Sequence, residues 1–194
     1  MESALLDAAS ELLEQEGPDA LSVRRIAAAA GVAPMGVYNH FSSKFGIINA
    51  LFELGFERLS AELAKVSAMP DPLEALVESG RCYRSLALAQ PMMYQLMFLR
   101  AVSGFEPSEE ALVMAANAFD GLVAAVRRAM ESGQIIGGDA TLTAHMLWAN
   151  HHGWVALELA GMGFVEDQEA GFDAYSAALL KGLSTSSSSD PSPK

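Results

Sequence analysis

Four histidines, one cysteine and one run of basic and hydrogen-bonding residues are where this 194-residue chain could do chemistry. His40, His145, His151 and His152 do not fall at HExxH or any other metal-ligand spacing, and Cys82 has no CxxC neighbour. There is no GxSxG, and Gly161-Met162-Gly163 is only a fragment of a dinucleotide fingerprint at a helix end. The sequence therefore points to no catalysis, no metal and no cofactor. Arg24, Arg25 and Lys44 are different. They lie in a window, Ala20 to Phe52, without a single Asp or Glu, so that window carries +3 in a chain of net charge −12. Tyr38, Asn39 and His40 stand among them. Cations interleaved with hydrogen-bonding groups are suited to phosphates and base edges, and an acidic body around them weakens non-specific binding. The charge pattern supports this reading without carrying it alone.

Positioning those groups falls to Ser22–Phe41, SVRRIAAAAGVAPMGVYNHF. Ser22 can cap a first short helix, and Ile26 and Ala30 then share one face of it. Gly31 supplies the left-handed residue that ends a helix, and Pro34 suits the first position of a second one carrying Tyr38, Asn39 and His40. Two short helices about a glycine turn make a helix-turn-helix; an ordinary helical corner is the bland alternative.

The rest of the chain also reads as helical. Leu5, Ala8, Ala9, Leu12 and Leu13 form an apolar stripe on a first helix that Gly17-Pro18 stops. After Phe41, Ser42 or Ser43 caps a long helix running to about Ala68, with Ile48, Leu51, Phe52, Phe56, Leu59 and Leu63 inward. Further helices are expected over Pro72–Gln90, from Pro91 through PMMYQLMFLRA, from Ser108 to about Ser132, over Ala140–Ala160 behind an Asp139 cap, and over Gln168–Leu183. No stretch alternates with period two, so no sheet is expected. The fold class is all-α with about nine helices. Residues 1–65 read as one domain, 66–184 as a second helical domain, and 185–194, TSSSSDPSPK, as a low-complexity disordered tail.

Hydrophobic residues make up 51% of the chain, enough for a real core. One cysteine excludes an internal disulfide framework and fits a reducing compartment. No apolar run approaches a bilayer span, and the acid-interrupted N-terminus is not a signal peptide, so a cytoplasmic protein with no membrane partner is expected. The last two long helices combine small residues (Ala144, Ala149, Gly153, Ala156, Ala174, Ala177, Ala178) with large apolar ones (Leu142, Met146, Trp148, Trp154, Leu157, Phe172, Leu180). That surface suits either a two-fold four-helix interface or a fully buried monomeric core. Methionines and aromatics are plentiful in the second part, which suits either plain packing or an adaptable apolar pocket.

Residues 1–65 resemble the DNA-binding domain of TetR-family transcriptional regulators. The resemblance rests on Ala8-Ala9, Leu12-Leu13, Gly17, Ser22-Val23-Arg24-Arg25-Ile26-Ala27, Ala30-Gly31-Val32, Tyr38-Asn39-His40-Phe41 and Ser43-Lys44, in register over nearly fifty residues. The second part is similar to a subgroup of that family through Pro91–Phe98 and through Trp148 with His152-Gly153 and Leu157-Glu158-Leu159. There are three departures. No basic arm precedes the first helix, Ala33 stands where Ser or Thr caps the recognition helix, and Phe45-Gly46 replaces the Glu of a capping box.

The resemblance implies a transcriptional regulator, most simply a ligand-responsive repressor that binds a palindromic DNA operator as a homodimer through its last two helices. It implies a DNA face of Ser22, Arg24, Arg25, Pro34, Met35, Gly36, Tyr38, Asn39, His40 and Lys44. The second of the two short helices would enter the major groove. There Pro34 and Met35 would touch thymine methyls, Gly36 would allow close approach, Asn39 would read adenine, and His40 would read guanine or phosphate. Tyr38, Arg24, Arg25 and Lys44 would hold phosphates. It also implies an unidentified small-molecule effector, with Met93, Met97, Phe98, Phe119, Met146, Trp148, His151 and Trp154 as pocket candidates, and with the long fourth helix carrying its signal. The alternative is a dimeric small-molecule-binding or interaction protein whose first domain has lost DNA binding.

Overall fold

The structure is a computed structural model that describes residues 1–184. The tail from 185 onward, expected to be disordered, lies outside the described residues. Among those described there are nine α-helices: α1 (Glu2–Glu16), α2 (Val23–Ala29), α3 (Pro34–Tyr38), α4 (Lys44–Ser67), α5 (Pro72–Ala89), α6 (Pro91–Phe98), α7 (Glu109–Glu131), α8 (Ala140–Leu159) and α9 (Gln168–Leu183). A single 3-10 turn, Pro18–Ala20, joins α1 to α2, and the one extended pairing is an isolated bridge between Ile135 and Ser184.

Three of the long helices start on side-chain caps that the sequence marks. Ser43 Oγ accepts from Gly46 N at 3.1 Å, Ser108 Oγ from Ala111 N at 3.1 Å, and Asp139 Oδ1 from Thr141 N at 2.9 Å and Leu142 N at 3.1 Å. Asp167 caps α9 in the same way, through Ala170 N at 2.9 Å. Each cap satisfies a backbone donor that the first turn leaves free. At α6 the sequence runs ahead of the structure: the helix stops at Phe98 rather than continuing to Ala101, because Arg100 takes a left-handed φ of 51° that no α-helix continues through.

Packing does not follow the order of the chain. One compact unit is Met1–Leu63 with Tyr83–Asp120; the other is Ala64–Cys82 with the described residues from Gly121 on. The core of the first joins Leu5, Leu13, Leu21, Ile26, Val37, Phe41, Ile48 and Leu51 to Met93 and Leu96 of α6. The second is built on Leu76, Val126, Ile135, Leu147, Val155, Phe172 and Leu180, all buried. Within it Arg81 forks onto Asp173, Nε to Oδ1 at 2.8 Å and the second guanidinium nitrogen to Oδ2 at 3.0 Å, tying α5 to α9. Arg128 donates to the carbonyls of Ser67 at 2.6 Å and Met69 at 2.9 Å, closing the end of α4.

Candidate nucleic-acid interface

The helix-turn-helix is held from below and open above. Ser22 Oγ accepts from Arg25 N at 3.4 Å and starts α2. Gly31, at φ 67°, turns the chain, and Val32 N returns to Ala27 O at 2.9 Å. Ile26, Ala27, Val37 and Phe41 are buried and fix the two helices to α1 and α4. The opposite side carries Arg24, Arg25, Pro34, Met35, Tyr38, Asn39, His40 and Lys44, all exposed, with Ser22 and Gly36 half-buried. The sequence-derived set therefore lies together on one short stretch. Met35 is 68% and Tyr38 53% exposed. Ala33 gives α3 no side-chain cap. A Cβ on Gly36 would meet only Val32, at an ordinary 3.7 Å, so the fold itself does not require glycine there.

Sequence reasoning missed the partners of two of these residues. Arg25 forms an ion pair with Glu16 of α1, and His40 Nδ1 lies 3.7 Å from Glu2 Oε2. Both acids belong to α1, and no local pattern links them to α2 or α3. Charge is also less distinctive than the window 20–52 suggests. A second acid-free run, residues 80–105, carries Arg81, Arg84 and Arg100. There Arg81 is committed to Asp173 and Glu78.

The pocket candidates are not one cluster. Met93, Met97 and Phe98 line a cavity of about 30 Å³ in the first unit, with Ala87, Tyr83 and Tyr94. That is room for one water. Burial pushes the Tyr94 phenol up, against a hydrogen bond from Tyr83 that lowers it. Phe119 is half-buried on α7. The others belong to the second unit. Met146 is 43% exposed on α8 and lines no interior. Trp148 packs against His145 and His152, with ring centroids 5.8 Å away in both cases. Trp154 stacks on Tyr175 at 5.2 Å, and its Nε1 is buried without an acceptor. His151 is buried against Phe172, its Nε2 3.2 Å from Ser176 Oγ, and burial holds its pKa down at about 4. Among the described residues, no group of three His, Cys, Asp or Glu side chains could hold a metal ion, and no helix is long and apolar enough to cross a membrane.

The pattern of bacterial regulatory proteins of the tetR family matches residues 5–51, and that of the tetracyclin repressor-like C-terminal domain matches residues 76–179. The chain belongs to the TetR family of transcriptional regulators. It is 26% identical over 180 residues, 93% of this chain and 80% of the other, to Rv0681, an uncharacterized HTH-type transcriptional regulator of Mycobacterium tuberculosis. A protein of unknown function from Rhodococcus sp. RHA1 superposes with a TM-score of 0.85 at 29% identity, over 95% of both chains. The transcriptional regulator FadR from Bacillus subtilis, solved in complex with stearoyl-CoA, has a TM-score of 0.75 at 21% identity over 95% of this chain and 98% of that one, which makes it alike in fold. As a TetR-family member the chain is a DNA-binding regulator of the helix-turn-helix type and not an enzyme.

Proposed function

We propose that this TetR-family chain is a ligand-responsive repressor that binds a palindromic operator as a homodimer, in the cytoplasm where its DNA lies. Residues 1–65 form the DNA-binding domain, and residues 66–184 serve dimerisation and effector binding. The observation that carries the reading is the two-sidedness of α2 and α3. Ile26 and Val37 are completely buried, while Met35, Tyr38, Asn39 and His40 turn to solvent. A major groove offers each of these a contact: a thymine methyl for Met35 and Pro34, adenine for Asn39, guanine or phosphate for His40. Ser22, Arg24, Arg25, Tyr38 and Lys44 bind phosphates, and Gly36 lets the helix come close.

Dimerisation is supported by α8. Its inner side, Ala144, Leu147, His151 and Val155, is buried in its own unit. Its outer side exposes Leu142 at 57%, Met146 at 43% and Leu157 at 53%. Ala149 and Gly153 lie between them, and α9 exposes Ala170, Ala174, Ala177 and Ala178. A second copy covers these small and apolar surfaces by close helix packing.

The effector enters beside Met93, Met97 and Phe98 by displacing flexible methionines, since the cavity holds about 30 Å³ as it stands. The lining is uncharged and largely apolar, so the effector is apolar where it sits there. Phe119, Trp148, His151 and Trp154 complete the candidates. Stearoyl-CoA, the ligand of the Bacillus subtilis structure, is a rational first probe. The Arg25–Glu16 ion pair, with Glu2 lying 3.7 Å from His40 Nδ1, is what favours the second reading, a dimeric ligand-binding protein without DNA binding.

Titrating the protein onto a duplex enriched from a random pool, at several salt concentrations, tests the DNA reading. Neutralising ~4–8 phosphates per dimer gives a slope of log K against log salt of roughly −4 to −7. A flat response overturns the docking.

A further inference from the structure

We propose that Glu14 is the residue through which the state of the α6 cavity is passed to the DNA-binding helices. Glu14 lies on α1, and its side chain reaches the start of α6. Its Oε1 accepts from Met93 N at 2.7 Å and its Oε2 from Met92 N at 3.1 Å. Both carboxylate oxygens are thus used, and both on first-turn amides of a helix whose own cap residue, Gln90, supplies no side-chain bond. A carboxylate at the positive end of a helix also has the favourable sign. Nothing local in the sequence marks this clamp, because its partners are 78 and 79 residues away.

The same helix is pressed from two other directions. On α4, a Cβ on Gly55 would fall 2.5 Å from Met97 Sδ and 3.3 Å from Met93 Sδ, so the absent side chain is the notch in which α6 sits. Beside that notch, Met93, Met97 and Phe98 line the cavity together with Leu59 of α4 and Ala87 of α5. Met93 is therefore both clamped at its amide by Glu14 and exposed to the cavity through its side chain. A short helix of two turns moves as one body, so an occupant that displaces Met93 and Met97 drags the Met92 and Met93 amides against Glu14. α1 shares its core with Ile26, Ala27 and Val37 of the helix-turn-helix, so that pull reaches α2 and α3. This rests on the proposed effector site and gives it a mechanism: displacement of the clamped amides in the occupied state makes the two states differ in how α1 is held.

The test is a double-substitution cycle on the full-length protein that needs no effector. Ala87→Leu fills the cavity from α5 and stands in for an occupant; Ala87→Val is the milder version should Leu not fold. Each is made with Glu14 intact, with Glu14→Gln, which keeps one acceptor, and with Glu14→Ala. Hydrogen exchange of the α1–α3 amides and operator affinity are read in parallel. With Glu14 present, the filled cavity speeds α1–α3 exchange and weakens operator binding roughly tenfold. With Glu14→Ala the filled cavity changes neither readout by more than about twofold, and Glu14→Gln lies between. Equal effects in both backgrounds, or no effect on α1–α3 exchange when Glu14 is present, overturn the proposal. Should no duplex bind at all, the regulator reading fails, while the exchange measurement still decides the clamp.

Discussion

Arg25 has two kinds of oxygen to choose from, the Glu16 carboxylate it pairs with and the operator phosphate proposed for it. Both side chains are close to half exposed, so the pair itself adds little stability, but DNA must displace it. Glu16→Gln is therefore expected to leave the melting temperature nearly unchanged, to tighten operator binding by a few-fold and to steepen the salt slope by up to about one charge per subunit. A salt titration of the variant beside the parent checks this. His151 sets a different dependence. Its pKa falls from 6.5 to about 4 because burial disfavours the imidazolium. Between those values the unfolded chain holds the extra proton, so stability is full above pH 6.5 and declines as pH falls toward 4, by up to about 3 kcal/mol. Denaturant unfolding at a series of pH values should show that slope, and His151→Asn should flatten it. Residue identity made the exposed side of the helix-turn-helix legible, since Tyr38, Asn39 and His40 are exposed where the pattern puts them. It could not reveal Glu14 or Glu16, whose partners are fixed only once α1 packs on α2 and α6.

At the scale of elements, several helix starts were readable because caps are local chemistry: Ser22, Ser43, Ser108 and Asp139 each bond a backbone amide within three residues, as does Asp167, which the sequence pattern does not single out. The glycines inside helices were not separable by sequence, because what matters is the neighbour across the gap. A Cβ on Gly80 would lie 2.8 Å from His151 Cε1, whereas one on Gly121 meets nothing within 4 Å. Gly80→Ala is thus expected to destabilise the protein by about 1–3 kcal/mol through overpacking against a buried ring. Gly121→Ala, in the middle of α7, is expected to stabilise it by up to about 1 kcal/mol. Thermal or denaturant melts of the two variants carry the comparison. The pocket candidates failed to converge for the same reason. Methionine and aromatic residues mark apolar surroundings, but Met93 and Met97 line a cavity in one unit while Met146 faces solvent on α8 in the other.

At the scale of the whole molecule, composition gave an all-helical acidic protein, and family likeness supplied the function. Sequence order suggests a boundary near residue 65, and by packing residues 83–120 group with 1–63. That regrouping follows from α6, whose Met93 and Leu96 are part of the core beneath the helix-turn-helix. It places the small cavity in the same unit as the helix-turn-helix. The outer side of α8 is the face proposed for dimerisation. Leu157→Glu puts a charge on a position already 53% exposed in the single chain, so folding should be kept while sedimentation shows monomers in place of dimers. Operator affinity should fall with it, because each half-site then binds alone. The most direct test of the regulator itself is selection of duplexes from a random pool by the purified full-length protein. The account predicts enrichment of an inverted repeat whose half-sites are one helical turn, or a multiple of it, apart, lost on Lys44→Ala with Tyr38→Phe. A pool that stays random after selection with folded dimer would contradict it.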